Sequence, residues 1–264
     1  MGFLTDFVTA SRARLALSPL DEDALREQAA SAPAARNLAW ALRGYAVTDG
    51  VAVIAEVKRA SPSAGAIAQD IDPVVQAMAY DTGGAAVISV LTEPGHFAGS
   101  MQDLRAVRAA VQHPVLRKDF LVHPSQLLEA RAAGADTVLL ITACLDDDEL
   151  LGMLGAARDL GMEPLVETHS DEDLERVLAT DAEVIGVNAR DLESLVVDVE
   201  ASLARLGQIP SDRVAVAESG LRTRADVEAV VRAGASAILV GEALMRSPDP
   251  GAQIHALIHG EEPR

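Results

Sequence analysis

The chain has 264 residues, 49% of them hydrophobic and only 3% aromatic, with a formal net charge of −18. That length and apolar fraction provide for a sizeable core, in one large domain or two small ones, filled by Ala, Val and Leu. The acidic balance favours solubility and argues against a nucleic-acid or anionic-membrane partner, since both need a basic face.

Cys144 is the only cysteine, so no internal disulfide can form, and a reducing, cytoplasmic setting is expected. The opening stretch MGFLTDFVTASRAR lacks the basic start and apolar core of a signal peptide. Asp6 stands where a myristoylation signal needs Ser or Thr. No apolar run reaches membrane-spanning length. Of the 22 basic residues, only Lys58 and Lys118 are lysine. A lysine kept against such an arginine bias points to a compact ammonium able to transfer a proton, which a guanidinium cannot do.

Residues 1–50 read as a helical preface. Ser18-Pro19 is expected to start a helix, with Asp21 and Glu22 in its first turn. A break near Ser31-Ala32-Pro33 precedes a second helix around Ala35–Arg43, whose Trp40 is expected to pack on the body. From Val51 the pattern alternates. Strands are predicted at about 51–58, 85–92, 114–120, 137–143, 163–168, 184–189, 214–218 and 237–241. Amphipathic helical stretches lie between them: Pro73–Thr82, Gly99–Val111, Pro124–Ala133, Asp146–Leu160, Asp171–Ala179, Val199–Leu206 and Arg222–Ala233, with a last helix at Asp249–His259. Three helix-to-strand joints share one form, at Gly83-Gly84-Ala85, Gly134-Ala135 and Gly234-Ala235, where glycine caps the helix in the left-handed region. Eight such units predict an α/β fold, a (β/α)8 TIM barrel with an N-terminal helical extension in a single domain. A doubly wound open sheet is the alternative, but the G-x-G-x-x-G expected after its first strand is absent.

A barrel of this kind builds its site at the C-terminal ends of the strands. Glu56 and Lys58, two apart, point to the same side of the first strand. The loop Ser61-Pro62-Ser63-Ala64-Gly65 follows, rich in hydroxyls and turn residues. The third strand ends in Arg117-Lys118-Asp119-Phe120, the fifth in Glu167-Thr168-His169, the sixth in Asn188-Ala189-Arg190, the seventh in Glu218-Ser219-Gly220 and the eighth in Gly241-Glu242. Two lysines, three carboxylates and an asparagine thus face one mouth, a setting for a proton donor and acceptor acting together. The plainer reading is a ring of salt bridges closing the barrel top. Ser219-Gly220 and Gly241-Glu242 each end a strand before a helical segment, a corner where backbone N–H groups bind phosphate. The six histidines make no metalloprotease-type pair with a third ligand, so no metal and no cofactor is expected. Cys144 reads as a small core residue, and His169 as a group that orients a neighbour.

With these residues assembled, the chain resembles the indole-3-glycerol-phosphate synthase family of tryptophan biosynthesis. The resemblance rests on Ile54-Ala55-Glu56-Val57-Lys58-Arg59-Ala60-Ser61-Pro62-Ser63, Leu116-Arg117-Lys118-Asp119-Phe120, Val166-Glu167-Thr168-His169, Gly186-Val187-Asn188-Ala189-Arg190-Asp191-Leu192 and Ala217-Glu218-Ser219-Gly220, in the family's order. It implies a decarboxylating ring closure on 1-(2-carboxyphenylamino)-1-deoxyribulose 5-phosphate, with no cofactor. By the same resemblance, Lys118 is the general acid and Glu167 the general base for dehydration. Lys58 holds the anthranilate carboxylate, and Glu56, Glu218 and Asn188 orient lysines and substrate. Ser61, Gly220, Gly241 and Glu242 match phosphate-binding positions, with Glu242 acting through its backbone N–H. Phe120, Leu139 and Leu192 form an apolar slot for the aryl ring, Ser219 and Leu239 also contact substrate, and Arg190 lies nearby. The loop Thr92–Ser100 follows the family's outline with changed residues, which leaves Phe97 open as a member of the aryl pocket.

Two alternatives stay open at this stage. One is a neighbouring phosphate-binding barrel such as phosphoribosylanthranilate isomerase, which needs a Cys or Asp acid–base pair. The other is a barrel that binds a phosphorylated metabolite without turnover. The expected partner is a small phosphorylated substrate, with no nucleic acid and no membrane, and the chain is expected to be a monomer or weak homo-oligomer.

Overall fold

The computed structural model describes residues 2–68 and 70–260. Three helices precede the first strand: α1 (Phe3–Leu17), α2 (Glu22–Ser31) and α3 (Leu38–Asp49). The strands β1 (Ala52–Val57), β2 (Val87–Leu91), β3 (Val115–Lys118), β4 (Thr137–Ile141), β5 (Leu165–Thr168), β6 (Val184–Asn188), β7 (Val214–Glu218) and β8 (Ala237–Val240) follow. All neighbours are parallel, and β1 pairs with both β2 and β8, so the sheet closes on itself. Closure leaves no open edge, and the helices cover the outside, which is why the strands read as continuous apolar runs rather than alternating ones. Around the ring run α4 (Pro73–Thr82), α5 (Met101–Ala110), α6 (Pro124–Ala132), α7 (Asp147–Asp159), α8 (Asp171–Leu178), α9 (Val199–Leu206) and α10 (Arg224–Arg232), then the short α11 (Glu242–Met245) and α12 (Pro250–His259). The result is a (β/α)8 TIM barrel with an N-terminal helical extension.

Local chemistry sets most boundaries. Asp72, Ser100, Asp146, Ser170, Asp198 and Thr223 each cap a helix by accepting a backbone N–H in its first turn. The repeated joint glycines Gly84, Gly134 and Gly234 have φ of 94°, 92° and 113°, the left-handed turn that sends each helix straight into its strand.

The preface differs from the sequence expectation. Ser18-Pro19 does not open a helix: Asp21 accepts from the Ala24 N–H and starts α2 at Glu22. α3 begins later than expected, capped by Asn37, and runs to Asp49. Trp40 does not pack on the body; it is 78% exposed, on the outer side of α3, while Leu38, Ala39, Ala41 and Leu42 face inward. α1 and α11 are helices that periodicity did not single out. Residues 60–66, expected as a loop, form a minimal antiparallel hairpin with Ala60 opposite Ala66.

α1 is tied to the barrel mouth. The buried Ser11 hydroxyl donates to the Phe120 carbonyl at 2.9 Å and accepts from the Gln126 amide at 3.1 Å. At the other end of the barrel, buried Asp136 gathers three elements. It accepts the backbone N–H groups of Arg36 at 2.8 Å and Val115 at 2.9 Å, and the Arg108 guanidinium at 3.0 Å. Removing one partner of a buried pair leaves an uncompensated charge. Asp136→Ala is therefore expected to cost about 3–5 kcal/mol, and Asp136→Asn less, since it keeps an acceptor; urea denaturation measures both.

Candidate active site

Strand register determines which side chains meet. Leu91 sits opposite Lys118, Ile141 opposite Glu167, Glu167 opposite Gly186, and Asn188 opposite Glu218, so the polar residues gather toward the C-terminal ends of their strands. There they line a cavity of about 500 Å³, within the usual range for a small-molecule site.

Lys118 is the hub. Its Nζ lies 3.0 Å from Glu218 Oε2, 3.4 Å from Glu56 Oε2 and 3.7 Å from Glu167 Oε2. Lys58 pairs with Glu56 at 2.5 Å, as the two-residue spacing required. The Asn188 amide donates to Glu167 Oε1 at 3.2 Å, and His169 Nε2 lies 2.9 Å from the same oxygen. The three carboxyl side chains are almost fully buried, and each lysine keeps 16% of its side-chain surface.

Burial alone would lift the Glu56 carboxyl, but Lys58 and Lys118 outweigh it and hold it below the usual carboxylate range. Burial would likewise depress the Lys118 ammonium, yet Glu218, Glu56 and Glu167 together raise it above an ordinary lysine. At Glu167 burial is again opposed, by Lys118 and His169, and the carboxyl is held low. At Glu218 burial and the neighbouring Glu167 charge act together, and its carboxyl is pushed well above the usual range. Similar groups are thus driven apart by their surroundings, which yields an acid and a base in one site.

Two further regions complete the cavity. On one wall the Phe7 ring from α1 stacks on Phe120, with centroids 4.1 Å apart and planes 6° apart, and Phe97 leans against Phe7 at 5.9 Å. Leu139, Leu192 and Leu239 line the same cavity. At the opposite corner, Ser219 and Gly220 have φ of 66° and 78°, so consecutive residues take the left-handed region. That conformation is costly for the serine and is held by its surroundings. Gly220 packs closely under Val197 and Val199, where a Cβ would meet methyl carbons at 3.2 and 3.3 Å. Gly241 leads directly into α11, and the Glu242 carboxylate pairs with Arg246 at 3.1 Å. Ser61 is buried, and its Oγ accepts from the Ala64 N–H at 3.2 Å.

All the residues singled out in sequence therefore border one cavity: Glu56, Lys58, Ser61, Lys118, Phe120, Leu139, Glu167, Asn188, Arg190, Leu192, Glu218, Ser219, Gly220, Leu239, Gly241 and Glu242. Gly241 has a second task, since a Cβ there would lie 2.4 Å from Glu56 Oε1 and 3.1 Å from Lys58 Nζ. Phe97 belongs to the aromatic wall. Sequence reasoning missed Phe7, Val197, Val199, Arg222 and Thr223, which also line the cavity. Phe7 comes from a helix distant in sequence and carried no motif; only its apolar spacing from Phe3 could have signalled it. Arg190 is spent partly on its own loop, donating to the Leu195 carbonyl at 3.0 Å. Cys144 is buried, and burial together with the Glu167 charge raises its thiol, which keeps it protonated. Among the described residues, no group of three or more His, Cys, Asp or Glu is arranged to hold a metal, and no helix is long and apolar enough to cross a membrane.

A closed parallel barrel with buried carboxyl and ammonium groups at its C-terminal mouth, beside a glycine-rich corner, defines the class of (β/α)8 barrel enzymes. The comparisons with known proteins sharpen this. The family model described as "Indole-3-glycerol phosphate synthase" matches residues 5–257. The indole-3-glycerol phosphate synthase of Mycolicibacterium vanbaalenii is 51% identical over 93% of this chain and 88% of its own length. That of Streptomyces griseus is 48% identical over 98% and 95% respectively. The chain belongs to the indole-3-glycerol phosphate synthase family, and is an enzyme of tryptophan biosynthesis. Among solved structures, a 3-hexulose-6-phosphate synthase superposes with a TM-score of 0.62 at 19% identity, over 78% of this chain and 98% of that one, a likeness of fold alone.

Lys118→Met removes the cation that three buried carboxyl groups share. In the wild type the depressed Glu56 and Glu167 contribute stability above the usual carboxylate range, and lose it as pH falls through their lowered values. In the variant, burial and mutual repulsion raise the folded-state values, so stability falls as pH rises through the carboxylate range. The deficit of Lys118→Met is expected to be small near about pH 4 and to widen toward pH 7. Urea denaturation at the two pH values reads this, and a pH-independent deficit would contradict it.

Proposed function

We propose that the enzyme converts 1-(2-carboxyphenylamino)-1-deoxyribulose 5-phosphate to indole-3-glycerol phosphate, by ring closure, loss of carbon dioxide and loss of water. The observation that carries the reading is the position of the Lys118 ammonium. It lies 3.0 Å from Glu218 and 3.7 Å from Glu167, inside a cavity with an aromatic wall on one side and the Ser219–Gly220 corner on the other.

The substrate fits that layout. Its aryl ring lies against Phe7, Phe97 and Phe120, with Leu139, Leu192 and Leu239 enclosing it. Its phosphate is held by the Ser61 hydroxyl and the backbone N–H groups at Ser219, Gly220, Gly241 and Glu242, because glycine lets an anion approach the chain and helix N-termini attract it. A substrate with a carboxylate and a phosphate needs local positive charge on an acidic protein, and Lys58, Lys118, Arg190 and Arg222 supply it at the mouth. Lys58 holds the anthranilate carboxylate until it leaves.

Chemistry follows from the two opposed environments. Lys118 protonates the ribulose carbonyl oxygen as the ring carbon attacks. Its neighbours must give back what burial takes, so that it is an ammonium at the start. Glu167, kept ionised, removes a proton from the methylene carbon beside the nitrogen as the hydroxyl departs from the neighbouring carbon as water. Lys58 delivers the proton to that departing hydroxyl. Glu56 orients both lysines, and Asn188 fixes Glu167. The enzyme acts as a monomer or weak homo-oligomer in the cytoplasm, on a small phosphorylated substrate.

An indole-fluorescence assay on the purified protein, with chelator present, tests the reading. Wild-type protein is expected to produce the indole signal. Lys118→Arg keeps the charge but gives up the proton reluctantly, and is expected to lose at least about a hundredfold in turnover while its circular dichroism is unchanged. Equal signal from both proteins would move the acid role to Lys58, and no signal from folded wild type would overturn the reaction.

A further inference from the structure

Three carboxyl groups, Glu56, Glu167 and Glu218, face two ammonium groups, Lys58 and Lys118, in a largely buried cluster. Fully ionised, it carries one excess negative charge, which burial makes costly. Two oxygens mark where that charge is met. Glu167 Oε2 and Glu218 Oε1 are buried and have no hydrogen-bond partner, and neither ring nitrogen of the neighbouring His169 makes a hydrogen bond. The two side chains meet at one place in the barrel, with Glu167 opposite Gly186 in register and Glu218 Oε1 lying against Gly186, and each carboxyl acts on the other's ionisation. A buried acceptor without a donor is destabilising, and one proton between the two carboxyls supplies a donor while neutralising the cluster.

We propose that the resting enzyme holds one proton between Glu167 and Glu218, carried by Glu218 as a carboxylic acid, and that Gly186 is the positioning residue that makes room for it. Gly186 lies on β6, next to Glu167 in register. A Cβ at that position would stand 2.2 Å from Glu218 Oε1 and 3.4 Å from its Cδ. Only hydrogen at position 186 lets the Glu218 carboxyl lean across β6 toward Glu167. The groups facing the pair are Lys118, Glu56 beyond it, Asn188, His169 and the Cys144 thiol. Of these, His169 is the competing seat for the proton, since its Nε2 is 2.9 Å from Glu167 Oε1.

The shared proton closes a cycle, which rests on the reaction proposed above. Lys118 gives its proton to the carbonyl oxygen. The Glu218 acid, whose Oε2 is 3.0 Å from Nζ, restores the ammonium and becomes a carboxylate. Glu167 then takes the proton from the methylene carbon beside the nitrogen, and that proton is again shared with Glu218. The second proton, which Lys58 delivers to the leaving hydroxyl, comes from solvent. It balances the electron pair left behind when the carboxylate departs as carbon dioxide.

Infrared difference spectroscopy on substrate-free enzyme carrying 13C-carboxyl glutamate tests the proposal. The C=O stretch of a protonated glutamic acid is expected at neutral pH, lost in Glu218→Gln and displaced in Gly186→Ala. Glu218→Gln also keeps a hydrogen-bonding amide but cannot pass a proton, so its kcat is expected to fall about a hundredfold with KM little changed. Absence of the wild-type band, with nuclear magnetic resonance placing the proton on the His169 imidazole, overturns the proposal. So does a band that survives Glu218→Gln. Because the spectrum needs no turnover, a band without indole formation would sink the reaction and leave the shared proton standing.

Discussion

The structure depends on one ammonium group held among three carboxyls. Lys118 lies 3.0 to 3.7 Å from Glu56, Glu167 and Glu218 at once, in a region from which water is largely excluded. Such a cluster cannot be supported by any single element, because burying charge costs several kcal/mol per ion unless partners are supplied from several directions. The barrel supplies them: Glu56 from β1, Lys118 from β3, Glu167 from β5 and Glu218 from β7. Every one of these comes from an odd-numbered strand, and Gly186, on the even strand between Glu167 and Glu218, leaves the space they need. The glycine at 241 does the same for Glu56 and Lys58 on the other side.

The polar centre and the apolar periphery serve different ends. The aromatic wall is assembled across the fold boundary, with Phe7 from the N-terminal extension stacked on Phe120 beyond β3. Ser11, one helical turn further along α1, fastens the same loop through the Phe120 carbonyl. The extension is therefore part of the cavity and not a decoration of the barrel. This explains why a helix with few buried residues remains in place: it is tethered by one stack and a buried hydroxyl. The opposite corner takes its shape from backbone rather than side chains, with Ser219 and Gly220 in the left-handed region and α11 starting at Glu242.

The charge pattern makes sense of the composition. A protein with 40 acidic and 22 basic residues repels anions at long range, yet its cavity is bordered by Lys58, Lys118, Arg190 and Arg222. Local geometry wins over net charge because opposite charges a few ångströms away in a low-dielectric site outweigh distant ones screened by solvent. The lysine scarcity has the same origin in function. Both lysines sit in the cluster, whereas the arginines tie helices and loops, as Arg108 does at Asp136 and Arg158 at Glu163.

The barrel was legible in the sequence because its strands and helices repeat with their own periods and glycine marks three of the joints. The polar site was legible because barrel geometry projects each strand's last residues into one mouth, so that Glu56, Lys118, Glu167, Asn188 and Glu218 could be gathered without coordinates. Sequence misjudged Trp40, since an aromatic residue is expected inside, and only the angle of α3 on the barrel decided that residue 40 faces solvent while 38, 39, 41 and 42 do not. It placed a helix start at Ser18-Pro19, where Asp21 capped the helix instead, because a local proline preference was weaker than an actual side-chain hydrogen bond. By itself, then, the sequence determined the fold, the membership of the charged cluster and its location at the strand ends, since all three follow from periodicity and residue type. Tertiary structure alone decided which carboxyl is held ionised and which is pushed toward its acid form, and that Phe7 completes the wall. Those depend on burial and on distances between residues as much as 113 positions apart in the chain, such as Phe7 and Phe120, and no local pattern encodes them.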